Sequence, residues 1–391
     1  MSISNEENFI RHDWVDIYDE ASSAVSLLSD TRYSGHTQIG KGGLKTVYKV
    51  FDNHCDRWVA IARISNTSYT MGDSLDFIRE IQLNSTLEHQ NIIRIYDIGI
   101  DEDGPWFTME LLDGDTLSKY LKNSKPTTNE RLNIFSKVCD ALAAAHKADT
   151  LHLDLKPENI IIGELEKLTV YDWGLGEQDQ ILSLDNTSKH YIKGTPGFMA
   201  PEQLIPGTPT TKQTDVFGLA AILYFILTGK SPILGSNQEE KKANTLNTKF
   251  NSLEHPDIPK RLIPLLEKGL SPAPDDRFED AHQLNTEIKH YIEGHATQVE
   301  NASPLMLVKL FIQRNKTASF IALLGFAALL LTSSFYIFSI NNSQKRTQAA
   351  LDESLLAKQS AEEERKEAKA SQLVSEPVSY THLTLPTICS V

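Results

Sequence analysis

Cysteine is scarce in this chain of 391 residues, and its three cysteines, Cys55, Cys139 and Cys389, lie far apart without a Cys-x-x-Cys pair. This spacing argues against a disulfide framework and a zinc site, and favours reduced thiols in a cytosolic domain. The first thirty residues lack the apolar stretch of a secretory signal peptide, so none is expected. Basic residues are also few, 38 against 52 acidic ones, and the net charge of −14 argues against a nucleic-acid-binding protein.

Residues 36–292 alternate strand-like and helix-like segments, whereas residues 1–35 are acidic and weakly patterned and form an N-terminal extension. Strand patterns around a glycine-rich turn dominate residues 37–64, and a helical segment is predicted from Ser74 to Leu87. After Leu117 the patterns are mostly helical. This order predicts an α+β fold in which a small β-rich lobe precedes a larger α-helical lobe.

A stretch without any charged residue occupies residues 317–340, after a linker of residues 293–316. As a helix it would be roughly 36 Å long, enough to cross a bilayer core of about 30 Å. Lysine or arginine flanks the stretch on both sides, so the positive charges give almost no preference for its orientation. We predict a single transmembrane helix here; the alternative is a buried core helix.

The remaining residues divide into two parts. Residues 341–377 are rich in Ala, Glu, Lys and Gln, and they predict a polar helix, either a short coiled coil or a plain solvated helix. Residues 378–391 change character and resemble translated sequencing-adapter read-through. We therefore expect this tail to be non-native, and the natural chain to continue differently beyond about Glu376.

Four motifs follow one another in the region of residues 36–292. The first is the glycine-rich turn that begins Gly40-Lys41-Gly42-Gly43, whose glycines let backbone amides approach a phosphate without an intervening Cβ. The other three are His152-Leu-Asp-Leu-Lys-Pro-Glu-Asn159, Asp172-Trp-Gly174 and Gly194-Thr-Pro-Gly-Phe-Met-Ala-Pro-Glu202. They resemble the catalytic loop, the metal-binding triplet and the end of the activation segment in protein kinases. The resemblance covers two-thirds of the chain and implies a bilobal kinase fold that uses ATP.

The resemblance also implies a role for each motif residue in phosphoryl transfer. Asp154 would accept the proton of the substrate hydroxyl, Lys156 would neutralise the transferring phosphoryl group, and Thr195 would line the acceptor site. Asn159 and Asp172 would supply oxygens to Mg²⁺, with Mn²⁺ as the alternative ion. A lysine two residues after the catalytic aspartate is similar to serine/threonine kinases rather than tyrosine kinases.

The nucleotide site that the resemblance implies draws on the glycine-rich loop, the following strands and the hinge. Its residues are Ile39, Gly40, Gly42, Gly43, Val47, Ala60, Met109, Glu110 and Leu112. In the large lobe, Glu202 would form a structural ion pair with Arg277, and Asp215 would brace the catalytic loop.

The chain departs from the family pattern at the third strand. The family has Val-Ala-Ile-Lys there, whereas this sequence has Val-Ala-Ile-Ala-Arg, so that Ala62 occupies the lysine position. Because side chains alternate along a strand, Ala60 and Ala62 are predicted to face the cleft and Arg63 to face away from it.

A lysine on the neighbouring strand offers a replacement. Lys45 stands where the third loop glycine belongs and shares strand parity with Val47, so it is predicted to point into the cleft. This arrangement resembles the with-no-lysine kinases, and Glu80 on the following helix would be its partner. The alternative is that Lys45 is a solvated loop lysine, the nucleotide site is inactive, and the chain is a pseudokinase that acts as a signalling or scaffold module.

Two further departures follow in the catalytic region. Leu153 replaces the arginine that many kinases use to bind a phosphate on the activation loop, so phosphorylation at Ser183, Thr187 or Ser188 is expected to matter less for switching. Trp173 replaces phenylalanine and is expected to keep the same apolar packing.

The kinase domain, single span and external segment together resemble bacterial receptor-type kinases. The expected protein is a serine/threonine kinase anchored in the bacterial inner (cytoplasmic) membrane with its kinase domain in the cytoplasm. Its expected partners are ATP and proteins with a Ser or Thr acceptor. Self-association and autophosphorylation are further expectations, and no binding of nucleic acid is expected. A further alternative treats the chain as a structural tether for a C-terminal region that does the main work.

Overall fold

The computed structural model describes residues 32–42, 45–64, 77, 81–82, 84–101, 104–173 and 194–374. The chain divides into two compact units, one ending at Arg314 and the other beginning at Asn315.

An antiparallel sheet of five strands forms the small lobe, in the order β1-β2-β3-β5-β4. The strands are β1 (Tyr33–Lys41), β2 (Lys45–Asp52), β3 (Arg57–Ile64), β4 (Ile95–Asp101) and β5 (Gly104–Met109). The first three match the strands predicted within residues 37–64, and β1 begins three residues before the predicted start of the domain at residue 36.

Strand β3 is buried on both faces, which explains its apolar sequence. On one face Ala62 packs in a cluster with Phe77, Ile81 and Phe107. Phe77 and Ile81 lie in the helical segment predicted after β3, and their spacing of four residues places them on one side of a helix. On the other face Ile61 packs with apolar residues of the same sheet.

The large lobe is helical, as predicted, with a small second sheet. Its described helices are α1 (Leu117–Ser124), α2 (Thr128–Lys147), α3 (Lys212–Thr228), α4 (Gln238–Leu246), α5 (Ile263–Gly269) and α6 (Ala281–Ile292). The second sheet contains β6 (Asp115–Thr116), β7 (Ile160–Ile162) and β8 (Leu168–Val170).

Helix α3 lies at the centre of the large lobe. Its sequence is apolar on nearly every side, which is typical of a helix enclosed by its neighbours, and its residues belong to the main core cluster together with those of α2, α5 and α6. The helix ends at Thr228 and is capped by Gly229, whose positive φ of 73° suits glycine. The first turn of this buried helix carries Asp215 and so places a carboxylate inside the lobe.

The segment predicted as a linker is attached to the large lobe. Arg261 donates two hydrogen bonds to the Glu300 carboxylate, at 2.6 and 2.9 Å, and the Gln298 amide donates to Glu287 at 2.8 Å. A short helix, α7 (Pro304–Arg314), then closes the first unit.

The second unit contains one continuous helix, α8 (Lys316–Val374). It joins the predicted span and the predicted polar helix without a break, through to the last described residue. Among the described helices, α8 is the one whose length and composition suffice to cross a membrane, and none of its apolar part is buried against the protein.

Candidate active site

Asp154 is the centre of the site in the large lobe. Its side chain is buried, Thr195 Oγ1 donates to its Oδ1 at 2.6 Å, and Lys156 Nζ donates to its Oδ2 at 2.6 Å. Asn159 donates from Nδ2 to the Asp154 carbonyl oxygen at 2.9 Å. Three residues that the sequence analysis selected from two separate motifs therefore contact Asp154, two through its carboxylate and one through its carbonyl oxygen.

Asp215 holds the loop that carries Asp154 in place through main-chain hydrogen bonds. The Asp215 carboxylate accepts hydrogen bonds from the main-chain amides of His152, at 2.8 Å, and Leu153, at 2.9 Å. His146 Nε2 lies 3.0 Å from the same carboxylate. Leu153 has a φ of 62°, a strained conformation for a branched side chain, and these bonds hold it there. The predicted brace is confirmed.

The electrostatic balance at Asp215 follows from these contacts. Burial disfavours the charged carboxylate, but the hydrogen bond and charge of His146, together with His152, more than offset this and hold the pKa of Asp215 below its ordinary value. The brace is therefore an ionised carboxylate at neutral pH.

Two supporting residues escaped the sequence analysis. Gln203 donates from Nε2 to the Leu153 carbonyl at 2.7 Å and accepts from the Ala200 amide at 2.9 Å, so it ties the catalytic loop to the end of the activation segment. His146 lies in α2, six residues before the catalytic loop, and contacts Asp215. Gln203 directly follows the Ala-Pro-Glu motif, and that adjacency was the one signal that pointed to it.

On the small-lobe side, Lys45 contacts the motif aspartate of the large lobe. Lys45 Nζ lies 2.7 Å from Asp172 Oδ1, and both side chains are about a quarter to a third exposed. Burial raises the pKa of Asp172, but the charge and hydrogen bond of Lys45 more than offset it, so the pKa is lower than usual. The contact agrees with the predicted direction of Lys45. Its predicted partner Glu80 lies outside the described residues, as does Gly43.

The pairing of the strands explains why Arg63 lies elsewhere. Ala62 stands opposite Val47 in the β2–β3 ladder, and Lys45 shares the parity of Val47. Arg63 points to the other face and donates from Nη1 to Asp101 at 2.7 Å. The prediction that Ala62 and Arg63 face opposite sides is confirmed.

The predicted nucleotide residues gather on the same face of the sheet. Ala60 stands opposite Met109, and Met109 packs with Val47 against the cluster around Ala62. Gly40 stands opposite Val47.

The remaining predicted nucleotide residues lie at the edges of this face. Ile39 lies at an irregularity of β1 and is half exposed, and the Gly42 amide donates to the Lys45 carbonyl at 2.8 Å in the loop. In the hinge, the Glu110 amide donates to the Arg94 carbonyl at 2.9 Å, its carboxylate pairs with Lys167, and Leu112 is partly buried.

The other predicted contacts of the large lobe are also present. Arg277 makes a bidentate ion pair with Glu202, at 2.7 and 2.9 Å, and both side chains are buried. Trp173 is fully buried in the main apolar core cluster, which confirms apolar packing at this position, and the centroid of its ring lies 4.6 Å from that of the His152 ring. The activation-loop residues Ser183, Thr187 and Ser188, the extension before residue 32 and the tail of residues 378–391 lie outside the described residues.

Comparisons with known proteins agree with this geometry. The protein kinase domain family matches residues 33–288. Serine/threonine-protein kinase PknD of Protochlamydia amoebophila is 32% identical over 314 residues, which cover 70% of this chain and 31% of that protein. PknD of Chlamydia abortus is 31% identical over 66% of this chain and 30% of its own length. Serine/threonine-protein kinase PrkC of Bacillus subtilis is 31% identical over 67% of this chain and 41% of its own length. The aligned part of this chain spans about a third of the PknD proteins.

Proposed function

Because this chain belongs to the protein kinase family and its relatives are serine/threonine kinases, we propose that it transfers the γ-phosphate of ATP to Ser or Thr hydroxyls of proteins, including its own. We further propose that Lys45 replaces the lysine missing from β3. The observation that carries this proposal is the 2.7 Å contact between Lys45 Nζ and Asp172 Oδ1. It supports an active site with a positive charge in the cleft, as opposed to a pseudokinase.

Asp154 is the proposed proton acceptor. Thr195 occupies one of its carboxylate oxygens and Lys156 the other, so the carboxylate is oriented before a substrate arrives. A substrate hydroxyl that reaches this carboxylate is held by a hydrogen bond and passes its proton to Asp154 as its oxygen forms the bond to the γ-phosphorus of ATP. The bond between that phosphorus and the β,γ-bridging oxygen breaks in the same transfer, and ADP leaves. Lys156 lies beside the same carboxylate, so its ammonium also offsets negative charge on the transferring group.

The oxygen atoms of Asn159 and Asp172 are suitable ligands for a divalent cation. Asn159 uses its Nδ2 to hold the catalytic loop, which leaves its Oδ1 for a cation, and Asp172 is an ionised carboxylate. Oxygen donors of this kind suit Mg²⁺ or Mn²⁺, which would neutralise phosphate charge when bound. We propose that Asn159 and Asp172 share this ion with the phosphates of a nucleotide.

Membrane anchoring is the second part of the proposal. The apolar part of α8 is long enough to cross a bilayer, and none of it is buried against the protein, unlike a core helix. A domain that uses ATP would lie on the cytoplasmic side, and the single crossing would place the polar end of α8 outside. The proposed location is the bacterial inner membrane.

The test is incorporation of labelled γ-phosphate by the full chain, purified in detergent, into itself and into a generic basic protein. The matched control is Asp154→Asn, which keeps the size of the side chain and removes the proton acceptor. Transfer by the parent that is lost in Asp154→Asn supports the proposal. A folded parent that neither transfers phosphate nor binds ATP would make the chain a pseudokinase.

A further inference from the structure

Helix α7 has an exposed apolar face. Its sequence is Pro-Leu-Met-Leu-Val-Lys-Leu-Phe-Ile-Gln-Arg, and five of its large apolar side chains are about half exposed or more. They are Leu305, Leu307, Val308, Phe311 and Ile312. At 3.6 residues per turn they fall within an arc of about 160° on one side of the helix. An exposed apolar face of this kind is typical of a surface that binds another protein or a membrane.

The opposite side of α7 attaches it to the kinase lobe. Leu310 is buried and Met306 is partly buried, and both lie outside the apolar arc. At the end of the helix, Arg314 Nη1 donates to His295 Nδ1 at 2.7 Å. The helix is therefore fixed to the first unit in an orientation that turns the five apolar side chains away from it.

Charge and position indicate what covers the apolar face. The whole chain has 52 acidic residues, but none of them lies between Glu300 and Asp352. The same segment contains five basic residues. Three of these, Lys309, Arg314 and Lys316, lie in or directly after α7. The charge-free stretch that we propose as the membrane span begins three residues after Arg314, so the chain has no length with which to move α7 away from the bilayer.

We infer that α7 is an interfacial helix that lies in the surface of an anionic lipid bilayer and seats the kinase lobe on it. The occupant of the apolar face is the lipid itself: acyl chains beneath the five apolar residues and anionic headgroups beside Lys309 and Lys316. This inference rests on the proposed membrane anchor. Because Arg314 and Leu310 attach α7 to the kinase lobe, an interfacial α7 would also hold the lobe at the membrane surface.

The experiment uses the full chain with single cysteines, in a background of Cys55→Ser and Cys389→Ser that retains the buried Cys139. An environment-sensitive fluorophore is attached at Val308→Cys, in the apolar arc. The matched control is Gln313→Cys, an exposed site on the other side of the same helix. The chain is reconstituted in vesicles of equal parts of phosphatidylcholine and phosphatidylglycerol. Quenching is measured with aqueous iodide and with a nitroxide carried on the lipid chains.

The inference predicts that the label at position 308 is quenched by the lipid nitroxide and shielded from iodide, whereas the label at position 313 shows the reverse. Removing one lysine by Lys309→Gln should weaken insertion about fivefold in these vesicles, and much less in pure phosphatidylcholine. Equal access of iodide to positions 308 and 313 would overturn the inference. Shielding from iodide without quenching by lipid would overturn it too, because protein, such as a second copy of the chain, would then cover the face.

A third label separates this inference from the anchor on which it rests. A fluorophore at Leu330→Cys, inside the apolar part of α8, should be quenched by the lipid nitroxide. If it is quenched and position 308 is not, the anchor stands and the interfacial helix is wrong. If position 330 is open to iodide in the vesicles, the anchor fails and the inference fails with it.

Discussion

Replacing Arg277 by methionine tests how far the large lobe depends on one buried ion pair. The Arg277 guanidinium makes five hydrogen bonds, and so uses its full set of N–H donors. Two go to the Glu202 carboxylate, and the other three go to the carbonyl oxygens of Ser271, Pro272 and Gln213, at 2.7 to 3.0 Å. Arg277 and Glu202 are each 4% exposed, so water cannot replace the lost contacts.

The size of the effect follows from what Arg277→Met leaves behind. Removing one partner of a buried ion pair costs about 3–5 kcal/mol, because the other charge stays buried without compensation. Three carbonyl groups also lose a donor, and these losses are not additive with the first. We expect the free energy of unfolding to fall by about 4 kcal/mol, which for a domain of this size corresponds to a decrease in Tm of roughly 8–16 °C.

Thermal unfolding, followed by tryptophan fluorescence, provides the assay. The matched control is Lys242→Met, which breaks the exposed pair with Glu239 at 2.8 Å and should cost less than about 0.5 kcal/mol. In addition, Glu202→Leu combined with Arg277→Met should recover part of the loss, because no charge then remains buried. A Tm of Arg277→Met that lies as close to the parent as that of the control would refute the reasoning.

Three further predictions concern the catalytic loop. Asp154→Asn should lower the rate of phosphate transfer by about 10²–10⁴-fold, with little change in the Kd for ATP measured by fluorescence titration. Thr195→Ala should lower the rate roughly 10-fold or more, because a hydrogen bond to a charged group is lost, whereas Thr195→Ser should stay near the parent; equal effects of both substitutions would contradict this. Because the folded pKa of Asp215 is below its unfolded value of 3.8, its stabilisation is complete above that pH and is lost as the pH falls through the folded pKa. Urea unfolding at pH 7 and pH 3 should therefore show a smaller difference between the parent and Asp215→Asn at pH 3, and a constant difference would argue against an ionised brace.

Strand periodicity explains why much of the site was predictable from sequence. Because neighbouring residues of a strand face opposite sides, Arg63 was predicted to lie on the face away from Ala62. In the structure, Arg63 is hydrogen-bonded to Asp101 on that face. The same rule directed Lys45 toward the cleft, where it meets Asp172. Local alternation is thus enough to assign faces when the strand itself is recognised.

Contacts between distant parts of the chain were not predictable in the same way. The amide of Gln203 reaches a carbonyl 50 residues earlier, and Arg261 binds Glu300, 39 residues later. Because of the contact between Arg261 and Glu300, the segment predicted as a linker is attached to the large lobe. Neither pair has a local pattern in the sequence, because the packing of the whole lobe brings the partners together. The sequence also did not predict whether the span and the polar helix are continuous, because no glycine or proline between residues 341 and 376 marks an end for the span. In the structure they form the single helix α8.

The dependence of phosphate transfer on Lys45 tests the central claim most directly. The measurement compares initial rates of γ-phosphate incorporation in the full chain for the parent, Lys45→Met and Arg63→Met, with Lys45→Met combined with Ala62→Lys as a rescue. We predict a large loss for Lys45→Met, little change for Arg63→Met, and partial recovery when a lysine is restored to β3 opposite Val47. Transfer that survives Lys45→Met and is lost in Arg63→Met would contradict the account and assign the positive charge to Arg63.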